Sequence, residues 1–87
     1  MKFTNIACAI YTDGAGPVFG VCKLECSAGG PDSAQEQWTG IFVTADYKFV
    51  PAHLNKALIL VTKEETPRRF QIRIKDRDGR FTGVREE

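Results

Sequence analysis

A chain of 87 residues is too short for two ordinary cores, because domains usually run to about 100–150 residues and small ones bury only roughly 60% of their unfolded surface. An apolar share of 43%, with six Phe, two Tyr and one Trp, excludes a disordered chain, and the longest apolar stretch, Ala57 to Val61, falls far below the roughly 20 residues that span a bilayer. A formal net charge of +1 excludes the strongly basic domain of a dedicated nucleic-acid binder, although ten Lys or Arg stand against seven Asp or Glu from Thr44 onward and two against four before it.

Lys2 to Thr12 reads as a strand, since Ile6, Cys8 and Ile10 alternate with Asn5, Ala7, Ala9 and Tyr11 and period two is the strand signature. Asp13-Gly14-Ala15-Gly16-Pro17 then makes a turn, with glycines that permit positive φ and a proline that cannot donate to a ladder. Val18 to Cys26 forms a second strand, with Val18, Gly20, Cys22, Leu24 and Cys26 on one side and Phe19, Val21, Lys23 and Glu25 on the other. The short connection predicts an antiparallel hairpin. Ser27 to Ser33, dense in turn formers, predicts a mobile surface loop.

Gln35 to Thr44 resumes as a strand, with Trp38, Gly40 and Phe42 alternating with Thr39, Ile41 and Val43, so both faces are partly apolar. Pro51 forbids an uninterrupted central strand, and the spacing predicts a bend or short helix near 51–57 with proline at its first position. Leu58 to Thr62 follows as a buried strand. Arg68 to Lys75 alternates cleanly: Phe70, Ile72 and Ile74 point inward, while Arg68, Arg69, Arg73 and Lys75 are assigned to the outward basic face. Asp76-Arg77-Asp78-Gly79-Arg80 supplies a hairpin turn into a short last strand, Phe81 to Arg85.

These elements predict one all-β domain over 1–87: a small antiparallel β-sandwich or partly open β-barrel of five or six strands, with one short helix at most. The expected core is Ile6, Cys8, Ile10, Val21 or Cys22, Leu24, Phe42, Leu58, Leu60, Phe70, Ile72 and Ile74. The N-terminus carries a single Lys2 and polar residues interrupt each short apolar run, so no signal peptide is read and a cytoplasmic chain with reduced thiols is expected.

The chemistry-bearing residues argue against an enzyme. Nucleophilic catalysis needs a base near a Ser, Cys or Thr, with a third group orienting that base. The single histidine, His53, has no nucleophile motif around it. Cys8, Cys22, Cys26 and His53 match a zinc ligand set in type. Their spacing does not, because Cys22 and Cys26 flank Leu24 on a strand, about 13 Å apart at roughly 3.3 Å per residue. The thiols read as core packing, and no metal or other cofactor is expected. Gly14-Ala15-Gly16 leads into a proline and a strand rather than a phosphate-holding helix. Gly29-Gly30-Pro31 lacks the lysine of a phosphate loop, and Asp76, Asp78 and Gly79 lack the rest of a calcium loop.

The surface feature with content is the basic hairpin. Arg68, Arg69, Arg73, Lys75, Arg77 and Arg80, with Trp38 as an aromatic companion, form the candidate partner-binding set. Arginine suits bidentate contacts to carboxylate or phosphate. The expected function is stoichiometric binding of another protein with an acidic surface, in the manner of a small phage-type inhibitor or adaptor, for which a short chain beginning at Met1 with no catalytic set is suited. The alternative is a single-stranded nucleic-acid binder using the same hairpin, with Tyr47, Phe49 or Trp38 for stacking. The bland reading of the same charges is a solvated face that blocks edge pairing. Free sheet edges would also allow a homodimer by strand addition.

Overall fold

A computed structural model describes the backbone of residues 2–12, 15–28 and 37–86, with side chains over 5–12, 16–26 and 37–86. The elements run β1 (Lys2–Thr12), β2 (Ala15–Ala28), β3 (Gln37–Val43), α1 (Phe49–Ala52), β4 (Ala57–Thr62), β5 (Arg69–Ile74) and β6 (Arg80–Arg85). The six strands close into a barrel in the order β1-β2-β3-β6-β5-β4. Every neighbouring pair is antiparallel. Two three-stranded meanders, β1-β2-β3 and β4-β5-β6, are thus joined along two seams, β1 to β4 and β3 to β6.

Between sandwich and partly open barrel, the chain takes a barrel and closes it. Closure also removes the free edges that strand addition would need along Cys8–Tyr11, which pairs with both β2 and β4. Closing a barrel this small requires an interior where large and small side chains alternate. Phe42, Phe70 and Phe81 are fully enclosed with Ile10, Leu24, Leu60 and Ile74, and Gly20, Gly40 and Gly83 make room beside them.

The expected core is buried except for Ile6, which is partly buried, and Val21, which faces out while Cys22 faces in. Trp38, Phe81, Phe49 and Val50 complete it. The helix begins at Phe49, two residues ahead of Pro51. A proline in a first turn forfeits no helical hydrogen bond, because those N–H groups have no partner in the helix. Phe49 packs edge-on against Phe42, centroids 5.9 Å apart, so α1 plugs one barrel end. The other end is closed by Trp38, edge-on to Phe70 at 5.3 Å.

Two bulges bend the long first hairpin. Ile10 pairs with Val18 and Thr12 with Ala15, so Gly16 and Pro17 together oppose Tyr11, and the strand begins earlier than the turn residues imply. A bulge tolerates the proline because it interrupts the ladder there anyway. Phe3 pairs with Leu24 and Ile6 with Cys22. The extra residue on β1 is absorbed by Asn5 at φ 56°, a left-handed conformation that asparagine tolerates. Of the expected surface loop, Ser27 and Ala28 extend β2; Gly29 onward lies outside the described residues, as do Asp13 and Gly14.

Candidate functional site

The basic hairpin does not form one outward face. Arg68 shares the parity of Phe70, Ile72 and Ile74, and its side chain, 12% exposed, lies over the Trp38 end of the barrel. Its guanidinium donates to both Glu64 carboxylate oxygens, at 2.9 and 3.0 Å, and sits 5.9 Å from the Trp38 ring and 6.0 Å from the Phe70 ring. Thr62 Oγ1 donates to Glu64 at 2.6 Å and accepts from the Arg68 backbone N–H at 2.9 Å. Arg68 and then Thr62 hold the Glu64 carboxyl below the ordinary carboxylate range. This arrangement is a lid on the core. Trp38, 3% exposed, presents no stacking face to a partner. A charge and a ring argue outward in the sequence, but each finds a partner at the barrel mouth and follows its strand's alternation inward.

The remaining cations separate further. Arg69 pairs with Glu86 at 3.1 Å, and Arg73 donates to the Asn55 carbonyl. Arg77 is exposed on the turn, which Asp76 organises by accepting from the Asp78 N–H at 2.9 Å and Gly79 completes at φ 87°. Lys75 and Arg80 line a groove of about 400 Å³ with Lys23, Thr39, Ile41 and Thr82. Its making is visible in the register: Lys23 pairs with Ile41 and Ile41 with Arg80, while Glu25 pairs with Thr39 and Thr39 with Thr82. Lys23 belongs to no basic run, and only the β2-β3-β6 adjacency brings it here.

A second outer surface, across β4, β1, β2 and β3, is apolar. Val43 pairs with Val21 and Val21 with Ala7; Phe19 pairs with Ala9 and Ala9 with Val61; Tyr11 pairs with Ile59. These rows lie side by side on the outer face. Phe19 is 55% exposed and Val43 63%, with Tyr11 and Val21 also exposed. Ala9 is buried although it faces outward, because the larger Phe19 and Val61 flank it. Lys63 Nζ lies 4.2 Å from the Phe19 ring centroid, so a cation borders the patch. The alternation of Phe19 and Val21 with Cys22 and Leu24 was the available signal for this face; its extent depends on which strands become neighbours.

His53 and the two buried cysteines make contacts within the barrel. His53 Nδ1 lies 2.8 Å from the Phe49 carbonyl oxygen, where it donates, and the ring stacks on Phe49 at 4.4 Å. Cys8, Cys22 and Cys26 are free thiols, the first two buried. The Cys8 thiol is pushed up by its hydrogen bond with Cys22 and by burial, whereas the same hydrogen bond from Cys8 lowers Cys22. Among the described residues no three His, Cys, Asp or Glu gather where they could hold a metal ion, and no helix is long and apolar enough to cross a membrane. Comparison of the chain with protein-family models, curated proteins and solved structures finds no match.

Proposed function

We propose that this chain is a non-enzymatic binding protein that acts by stoichiometric association with another protein, as an inhibitor or adaptor, and that the contact surface is the apolar face carrying Tyr11, Phe19, Val21 and Val43. The carrying observation is the solvent exposure of these four side chains on adjacent rows of one sheet face. Exposed apolar clusters with a polar border mark interaction surfaces in soluble proteins. Tyrosine and phenylalanine supply contact area at low conformational-entropy cost, and interface cores are depleted in charge. Three free thiols suit a reducing compartment. The nucleic-acid alternative keeps Tyr47 as an exposed ring, but Trp38 and Phe49 are buried and Arg68 and Arg69 are paired with glutamates, so less of its residue set faces solvent.

Val21→Lys combined with Val43→Glu tests the proposal, since both side chains point to solvent and the new charges face each other across the strand pair with opposite sign, so the variant should keep its circular dichroism spectrum. From a lysate of the source organism, immobilised wild-type chain is expected to retain a protein that the double variant releases, with affinity reduced at least roughly tenfold, about 1.4 kcal/mol. If the partner is a second copy, sedimentation detects a dimer that the variant loses. Identical retained proteins and identical sedimentation for both chains would overturn the proposal.

A further inference from the structure

We propose that the groove across β2, β3 and β6 is a binding site for a small organic anion with an apolar body, such as a medium-chain carboxylate or an aromatic sulfonate. The site lies beside the apolar face and does not depend on its role. Three observations carry it. The groove's volume, about 400 Å³, falls within the roughly 300–1,000 Å³ of small-molecule sites. Its lining comes from adjacent strands, with Ile41 in register between Lys23 and Arg80 and Thr39 between Glu25 and Thr82. Three of its four charged lining residues are cations, Lys23 on β2 and Lys75 and Arg80 opposite, the fourth being Glu25 on β2.

Pairing separates these cations from Arg68 and Arg69 of the same hairpin. Arg68 and Arg69 are neutralised by Glu64 and Glu86. No carboxylate among the described residues pairs with Lys23, Lys75 or Arg80, and the carboxylate on the lining, Glu25, is engaged in an interaction of its own. A concave surface with an excess of one sign of charge concentrates the opposite ion. Arginine offers a fork to a carboxylate or sulfonate while lysine supplies a point charge. The lining then rewards an apolar body, which a bare inorganic anion lacks.

The test uses 8-anilinonaphthalene-1-sulfonate, whose fluorescence rises on entering an apolar site and whose sulfonate needs a cation. Saturable binding at one probe per chain is expected, with backbone amide shifts in the ¹H–¹⁵N spectrum concentrated on Lys23, Gly40, Ile41, Arg80 and Thr82. Octanoate should displace the probe and acetate at the same concentration should not. Lys23→Glu with Arg80→Glu should weaken binding at least tenfold; if that variant does not fold, Lys23→Gln with Arg80→Gln carries the same expectation. Shifts centred on Phe19, Val21 and Val43 would overturn the proposal and place the probe on the apolar face. Undiminished binding by a folded charge variant, equal displacement by acetate, or absence of saturable binding would also overturn it.

Discussion

Gly40 shows how little slack the barrel wall has. A Cβ at this position would stand 2.1 Å from the Lys23 carbonyl oxygen and 2.6 Å from the Phe81 ring. The ring could turn, but the carbonyl belongs to the β2 ladder and cannot retreat without breaking pairs. Overpacking of this kind costs roughly 1–3 kcal/mol, occasionally more. Gly40→Ala is therefore expected to lower the urea midpoint with little change in slope. Gly16→Ala is the matched control, because nothing lies within 4 Å of the added methyl, and it should leave the midpoint nearly unchanged. Equal midpoints for the two variants would show that the wall yields more easily than these distances imply.

The β4 to β5 connection acts as a unit. Thr62, Glu64 and Arg68 tie the end of one strand to the start of the next over the Trp38 ring. With the Glu64 carboxyl lowered in the folded chain, its contribution is present above the ordinary glutamate value, about 4.3, and is lost as pH falls through the lowered folded value. Glu64→Gln is expected to be less stable than wild type at neutral pH. The gap should be no more than about 1 kcal/mol, because the glutamate side chain is one-third exposed and solvent screens the pair. Urea unfolding at pH 7 and at about pH 2.5 checks this: the two curves should approach each other in acid, and a gap independent of pH would refute the assignment. The same element shows what alternation can and cannot reveal. Counting by two from Phe70 already places Arg68 inside, and counting from Phe42 places Trp38 inside. Residue type argues outward for both side chains, and parity decides. The groove is a different matter. Lys23, Ile41 and Arg80 meet because β6, on the side away from β5, pairs with β3, and no local pattern encodes that adjacency. Strand alternation in β1, β2 and β5 was legible; the curvature that closes them was not, because it depends on bulges and glycines whose effect appears only once strands pair.

On the scale of the whole molecule, the two seams set the order in which structure can form. Within each meander the pairings are between strands consecutive in the chain, whereas Cys8 with Thr62, Ile10 with Leu60 and Gln37 with Val84 join residues distant in sequence. Loop-closure entropy must be overcome before such contacts stabilise anything, and domains dominated by non-local pairing fold in milliseconds to seconds. Stopped-flow refolding from urea is expected in that range, and refolding complete within microseconds would contradict it. Until the seams form, β1 and β4 are edge strands with unpaired backbone groups, and unpaired edges recruit other chains. The chain is accordingly most prone to aggregate while it is still folding, so its yield of active molecules should fall with protein concentration during refolding even where the finished barrel stays in solution.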